Sequence, residues 1–142
     1  MVDIVDSETR SRMMSNIRGK NTKPELIVRR FLHSQGFRYR LHVKTLPGKP
    51  DIVLPKYKTV VFVHGCFWHH HHGCKYAYVP KTNTQMWRSK FKSNVARDRL
   101  SIEDLNNLGW RSIIIWECQI EPHQLTQLGK TLANNDQLSA LA

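Results

Sequence analysis

Residues 64–74 read HGCFWHHHHGC, and the rest of the chain is best interpreted outward from them. The stretch holds two of the three cysteines, five of the eight histidines and two adjacent large aromatics. Thiolates and imidazoles are ligands of zinc, so a histidine run flanked by cysteines predicts a metal site. Phe67 and Trp68 beside a basic surface are typical of side chains that wedge between bases or stack on them.

Each part of this stretch also has a plainer explanation. A histidine run is common in expression tags, but tags sit at chain ends and this run is internal. The cysteines could be small buried hydrophobes, and the two aromatics could be ordinary core. The combination within eleven residues favours the metal and nucleic-acid interpretation.

Length and cysteine content set broad limits. A chain of 142 residues predicts one domain with its own core. No apolar run reaches membrane-spanning length and the N-terminus lacks the pattern of a signal peptide, so we expect a cytoplasmic protein without a membrane partner. Three cysteines are an odd number, which argues against a disulfide framework and for metal binding.

The charge indicates the partner. The chain has 22 Lys and Arg against 11 Asp and Glu, a net charge of +11, which favours a polyanion, nucleic acid first. An anionic membrane is the weaker alternative, because no basic amphipathic helix stands apart from the fold. Residues 1–21 combine basic side chains with a small apolar group, and form either a solvated helix or an arm that closes on DNA.

Residue patterns predict the order helix, three strands, helix, strand. Thr22 caps the first helix, Pro24 lies in its first turn, Glu25 completes a capping box and Gly36 ends it. Alternating residues 37–43 predict a half-buried strand, and apolar runs predict buried strands. The remaining predicted elements are strands 51–54, 59–63 and 113–116, a helix 84–108 and a weak helix from 121. This is a mixed α/β sheet flanked by helices.

Asp51 opens one predicted strand, and Val63 and His64 end the next. A carboxylate facing a backbone carbonyl on a neighbouring strand can hold Mg²⁺ with water still bound to it. Such an ion activates water and steadies the charge of a phosphodiester during cleavage. The spacing resembles that of PD-(D/E)XK nucleases, with Pro50-Asp51 as the first element, although Phe62 and His64 stand where an acid and a lysine are usual.

A larger set of motifs resembles one family. PGKPD at 47–51, HGCFWHHHH at 64–72, NVARDR at 94–99, GWR at 109–111 and WEC at 116–118 together resemble the Vsr, or very short patch repair, DNA mismatch endonucleases. The likeness runs from about Thr9 to Cys118. It implies a restriction-endonuclease-like fold with a structural zinc, in a single domain 1–142. Within it, 1–21 is a basic DNA-binding arm, 22–118 the catalytic core and 119–142 a C-terminal tail.

The resemblance also implies an activity. The family nicks the thymine-bearing strand of a T:G mismatch on its 5′ side, where 5-methylcytosine has been deaminated. By this likeness Asp51 binds Mg²⁺ through its carboxylate and Val63 through its backbone carbonyl, with two ions expected. Many family members have threonine in place of Val63, but a carbonyl ligand survives that change.

The remaining catalytic roles follow from the same likeness. His69 looks like the general base or water-positioning residue, with Asp98 as its orienting carboxylate. His64 and Glu25 would complete the water network around the metal. Capping alone could instead explain Glu25, and a surface pair with Arg97 or Arg99 could explain Asp98.

The DNA contacts are carried over in the same way. Phe67, Trp68 and Trp87 resemble the aromatics that enter the base stack from the major groove, while Met14, with Ile17, would press from the minor groove. Lys90 and Asn94 match positions that contact the mismatched bases. For Trp87 ordinary core packing is the alternative, and for Phe91 we expect it. His70 and His72 are expected in solvent.

Four residues match the structural zinc ligands of the family: Cys66, His71, Cys74 and Cys118. The set is also chemically sensible, because every cysteine plus one histidine makes a closed tetrahedral site. Gly73 separates the histidine run from Cys74, where the family pattern has none, so His72 remains an alternative to His71.

The expected partner is double-stranded DNA with a T:G mismatch, with other mismatch-repair proteins as further partners, bound by a monomer. Two other classes compete: a zinc module that binds DNA without cutting it, and a metal-storage protein. Asp51, His69 and Asp98 together disfavour the first. Neither the charge of +11 nor the strand of Asp51 is explained by the second.

Overall fold

The computed structural model describes residues 21–141, with side chains as far as residue 134. Its helices are α1 (Lys23–Ser34), α2 (Thr84–Asn107) and α3 (Pro122–Leu141), and its strands are β1 (Arg40–Leu41), β2 (Ile52–Leu54), β3 (Thr59–His64) and β4 (Arg111–Trp116). The predicted order of elements is confirmed. Met14, Ile17 and nearly all of the basic arm lie outside the described residues. No helix in the described part is long and apolar enough to cross a membrane.

The four strands form one mixed sheet in the order β1-β2-β3-β4. β2 pairs antiparallel with both β1 and β3, whereas β3 and β4 run parallel with α2 as their crossover. The register places Thr59 opposite Arg111 and His64 opposite Trp116. The histidine-cysteine stretch therefore begins at the carboxyl ends of two parallel strands.

The predicted strand 37–43 is much shorter than expected, because only Arg40–Leu41 pairs with β2. His42 adopts a left-handed conformation with φ of 49°, which ends the extended backbone. Its N–H still donates to the carbonyl of Asp51 at 3.1 Å. Phe37 and Tyr39 pack on the core without belonging to the strand.

The main core lies between the sheet, α1 and α3. Its buried members are Val28, Leu32, Ile52, Leu54, Val61, Ile115, Leu125, Leu128 and Leu132. The helix predicted from Glu121 is present as α3, but it is not a weak helix, because it supplies three of these core leucines. A smaller cluster of Val53, Val60, Phe62 and Leu105 packs on the α2 side of the sheet.

The loop before Asp51 is held against α2. Gly48 has φ of +75°, and a Cβ added there would lie 2.8 Å from the Cβ of Ser101 on the helix. Both the conformation and the close approach require glycine. This contact fixes the position of the loop that leads into Asp51.

Candidate active site and metal centre

A cleft of about 1490 Å³ opens at the carboxyl end of β3, between α1 and α2. It brings together five of the predicted catalytic residues: Glu25, Asp51, His64, His69 and Asp98. They come from α1, the start of β2, the end of β3, the loop after it and α2, so only the fold makes them neighbours.

His69 is paired with Asp98. The distance from Nδ1 of His69 to Oδ2 of Asp98 is 2.7 Å. A carboxylate accepting from Nδ1–H leaves the Nε2 lone pair available to take a proton. This geometry is that of an orienting carboxylate, and the alternative of a surface pair between Asp98 and Arg97 or Arg99 is disfavoured.

His64 is a buried and neutral imidazole. Its side chain is only 4% exposed, and burial, followed by the neighbouring His69, lowers its pKa to about 3. Among the described residues, Nδ1 of His64 has no hydrogen-bond partner. A buried polar atom left unpaired costs free energy, so Nδ1 of His64 is an unmet hydrogen-bonding position at the edge of the cleft.

Asp51 faces the cleft with one oxygen held by the backbone. Its Oδ2 accepts a hydrogen bond from the N–H of Val63 at 2.8 Å. The pKa of Asp51 is raised to about 6, chiefly by burial; the N–H of Val63 opposes this rise, the charge of Glu25 adds to it, and His42 and His69 oppose it. The ionised carboxylate is therefore poorly stabilised by the protein alone, as suits a group that binds a cation.

Glu25 belongs to the same cleft. Its N–H donates to Thr22 Oγ1 at 3.3 Å, as predicted for a helix start. Its carboxylate, however, is 2% exposed, accepts from Arg29 and lies 3.0 Å from Nε2 of His42. Helix capping therefore accounts for the backbone N–H of Glu25 but not for its side chain. Of the predicted capping box, the bond from Glu25 N–H to Thr22 is present, while the Glu25 carboxylate contacts Arg29 and His42 instead.

The oxygens of Asp51 and Glu25 fit a divalent cation. Ligand atoms of Glu25, His42 and Asp51 lie within 4.8 Å of one another. Carboxylate oxygens are the ligands that Mg²⁺ prefers. The donor set is thus compatible with the predicted magnesium, while the role of the Val63 carbonyl stays a prediction.

The four predicted zinc ligands converge at one point. The Sγ atoms of Cys66, Cys74 and Cys118 and a nitrogen of His71 all lie within 4.8 Å of one another. Nδ1 of His71 is 3.7 Å from Cys66 Sγ and 3.4 Å from Cys118 Sγ. Tetrahedral zinc would hold a sulfur and a nitrogen about 3.6 Å apart, so these two distances fit the metal.

The structure favours His71 over His72 as the fourth ligand. His72 is exposed and lies outside the cluster, whereas the ring of His71 also stacks on Trp116, with centroids 4.0 Å apart. Gly73 has φ of +74°, and the N–H of Cys74 donates to the carbonyl of His71 at 3.2 Å. The extra glycine makes a tight turn that lets His71 and Cys74 face the same point.

An aromatic cluster lies beside the catalytic residues. Phe67 is at its centre, with ring centroids 5.1 to 5.3 Å from those of Trp68, Tyr78, Trp87 and Phe91. Phe91 is buried, as predicted, while Trp68 and Trp87 are half-buried. The prediction for His70 was wrong: it is half-buried and stacks on Phe91 at 4.6 Å.

Two polar residues of α2 contact this cluster. Nζ of Lys90 lies 5.4 Å from the ring of Trp68 and 5.8 Å from that of Trp87. Nδ2 of Asn94 donates to the backbone carbonyl of Trp68 at 2.9 Å. Asn94 therefore has an intramolecular task, holding the aromatic loop on α2, besides any contact it makes with bases.

Comparison with known proteins decides the family. The family described as DNA mismatch endonuclease Vsr matches residues 2–75. The type II nicking enzyme V.NmeAIP of Neisseria meningitidis serogroup A is 49% identical over 121 residues, covering 85% of this chain and 86% of that protein. The chain belongs to the Vsr family. It is therefore a DNA endonuclease, in a family whose named members are a mismatch endonuclease and nicking enzymes.

Two further relatives match almost as much of the chain. V.XorIIP, a type II nicking enzyme of Xanthomonas oryzae pv. oryzae, is 47% identical over 120 residues, or 84% of this chain and 88% of that protein. The DNA mismatch endonuclease Vsr of Escherichia coli K12 is 45% identical over 120 residues, which cover 84% of this chain and 76% of that protein.

Some residues of the cleft in this Vsr-family protein were not predicted. His42 looked like a solvent-facing residue of an alternating strand, and only its contact with Glu25 reveals its place. Tyr76, Tyr78 and Met86 line the cleft and are at least half exposed. The sequence feature that could have indicated a place in the cleft was their position between Cys74 and Trp87.

Proposed function

We propose that this endonuclease nicks one strand of duplex DNA at a T:G mismatch, 5′ of the mismatched thymine, in a Mg²⁺-dependent reaction. Its role would be very short patch repair of deaminated 5-methylcytosine. The observation that carries the proposal is the sharing of one cleft: the His69–Asp98 pair and Asp51 lie beside Phe67 and Trp68. The proposed general base, His69, directly follows Phe67 and Trp68 in the chain, so the residues proposed for catalysis and for contact with distorted DNA are joined by a few covalent bonds.

The proton chemistry follows from the His69–Asp98 geometry. Asp98 holds Nδ1 of His69, so Nε2 can take a proton from the attacking water while the water oxygen forms its bond to phosphorus. The bond from phosphorus to the leaving oxygen then breaks, and that oxygen takes a proton from solvent water. The imidazolium formed is stabilised by the carboxylate at 2.7 Å. Mg²⁺, held by Asp51 and the Val63 carbonyl, would neutralise phosphate charge and lower the pKa of the attacking water.

Mismatch selection is assigned to the aromatic cluster. Inserting side chains between base pairs costs a few kcal/mol of unstacking, and a mismatched step resists this less than a matched one. Trp68 and Trp87 are half-buried around Phe67, with Lys90 beside both indole rings to meet the phosphates. Local weakness of the duplex would thereby place the phosphate beside Asp51.

The zinc is proposed to be structural. Its four ligands leave no open coordination position, and they join the aromatic loop to the residues that follow β4. A monomer acting on chromosomal DNA in the cytoplasm, with other mismatch-repair proteins as partners, is the setting we propose. The net charge of +11 supports DNA as the partner.

A nicking assay tests the function. The protein is incubated with end-labelled duplexes that differ only in one T:G or C:G pair, with and without Mg²⁺. We expect a single nick 5′ of the thymine, only in the mismatched duplex and only with Mg²⁺. Binding without cleavage under every divalent cation would instead support the non-cutting zinc module, and no preference for DNA would support metal storage.

A further inference from the structure

His42 touches both acidic residues of the proposed magnesium site. Nε2 of His42 lies 3.0 Å from each carboxylate oxygen of Glu25. The N–H of His42 donates to the carbonyl of Asp51 at 3.1 Å. Ligand atoms of all three residues lie within 4.8 Å of one another. A single residue thus links α1 to the strand that carries Asp51.

The backbone of His42 has an uncommon conformation. Its φ of 49° lies in the left-handed region, which few residues other than glycine adopt, although histidine is among those enriched there. Such outliers persist where the surrounding structure imposes them, and they concentrate at functional sites. Here the conformation follows the end of β1 at Leu41, and the imidazole lies against Glu25.

Glu25 needs this contact to keep its orientation. Arg29 donates to Oε2 only, whereas His42 reaches both Oε1 and Oε2. The carboxylate is 2% exposed and lies beside the carboxylate of Asp51, which repels it. Without a second donor, the carboxylate is free to rotate towards Arg29 and away from Asp51.

We propose that His42 is a positioning residue of the nicking reaction, which holds the Glu25 carboxylate beside Asp51 so that both acids act on one divalent cation and its waters. The inference rests on the proposed function and deepens its magnesium site. Residues that orient metal ligands typically contribute about 10- to 100-fold to metal affinity or activity.

Two substitutions distinguish the contribution of the His42 side chain from that of its backbone conformation. Asparagine tolerates the left-handed conformation but is too short to reach Glu25, since its amide occupies the place of Nδ1. Glutamine suits the conformation less well but carries an N–H near the place of Nε2. A role through Glu25 predicts that His42→Gln outperforms His42→Asn, whereas a purely structural role predicts the reverse. His33→Asn, at an exposed position at the end of α1, is the matched control.

The deciding measurement is Mn²⁺ binding to the zinc-loaded protein without DNA, followed by electron paramagnetic resonance. We expect His42→Asn to weaken Mn²⁺ binding at least about 10-fold, and His42→Gln and His33→Asn to stay within about 3-fold of the wild type. In a Glu25→Ala background, His42→Asn should cost nothing further. Nicking rates at saturating DNA should fall in the same order.

Several outcomes would overturn the inference. These are unchanged Mn²⁺ binding in His42→Asn, binding in His42→Gln weaker than in His42→Asn, a further loss in the Glu25→Ala background, or no saturable Mn²⁺ binding by the wild type. Failure of the proposed function is distinguishable from failure of this inference: a wild type that binds Mn²⁺ but nicks no mismatched duplex refutes the function, whereas the Mn²⁺ affinities of the variants decide the role of His42 at the metal site.

Discussion

The imidazole rings of His64 and His69 lie parallel, with centroids 3.6 Å apart and planes only 1° apart. Two imidazolium ions in such contact would repel strongly, so the stack favours at most one positive charge. Burial of His64 and the nearness of His69 lower the pKa of His64 to about 3, whereas His69 has Asp98 at 2.7 Å. In the proposed reaction, the positive charge that forms on this pair of rings would therefore lie on His69.

Asp98→Asn is expected to slow single-turnover nicking at least about 10-fold, and His69→Ala by about 10² to 10⁴. The reason is that the amide can present its N–H to Nδ1 and stabilise the wrong tautomer. Affinity for the mismatched duplex should be unchanged. Asp104→Asn, an exposed change on the same helix, is the control and should nick normally. Equal rates for Asp98→Asn and the control would contradict the orienting role.

Asp51→Asn is expected to stabilise the zinc-loaded protein when Mg²⁺ is omitted, and to abolish nicking. Burial raises the folded-state pKa of Asp51 from 3.8 to about 6, so between these values the folded state holds a proton that the unfolded state has lost. Stability from this group therefore falls as pH rises from about 4 to about 6, by about 3 kcal/mol.

Thermal unfolding at pH 5 and pH 8 measures this effect. The Asp51→Asn variant should unfold above the wild type at both pH values, with a gain about twice as large at pH 8 as at pH 5, while Asp104→Asn should show no such gain. A variant less stable than the wild type at pH 8 would mean that the carboxylate is structurally required rather than poorly stabilised.

Removal of zinc should unfold or loosen the loop that carries Phe67 and Trp68. Variants of His71 and His72 then show which histidine is the fourth ligand. His71→Ala should lower the zinc content well below one per chain and reduce stability by several kcal/mol, because structural zinc contributes folding free energy. His72→Ala, at an exposed neighbouring position, should retain the metal. Elemental analysis and unfolding curves measure both. Full zinc in His71→Ala with loss in His72→Ala would reverse the assignment.

Trp68→Ala should abolish the preference for the T:G duplex, because each stacked base–aromatic contact is worth about 1–3 kcal/mol. Zinc content and fold should be kept. Asp51→Ala should behave oppositely, losing nicking but keeping the preference for the T:G duplex.

Trp110→Ala is the control, since that ring packs under Lys58 just before β4, at the end of the sheet away from the cleft. A wild-type affinity ratio in Trp68→Ala would show that the indole serves packing alone.

Much of this molecule could be predicted because the signals are local. Apolar runs predicted β2, β3 and β4, and the helix predicted over residues 84–108 matches α2. The cysteine and histidine stretch predicted a metal cluster, because side chains a few residues apart cannot separate far. The catalytic set came from matching motifs, which report a shared ancestry rather than a geometry.

Tertiary packing decided the rest. The length of β1 depended on the conformation of His42, and the importance of α3 depended on leucines that find their core only in three dimensions. The choice of His71 over His72 depended on a turn at Gly73, and the pairing of Glu25 with His42 joins residues 17 apart. The sequence by itself determined which chemical groups the protein carries and which elements they follow. Only the folded chain decided which of them meet, because contacts between distant residues depend on the packing of whole elements and not on neighbours along the chain.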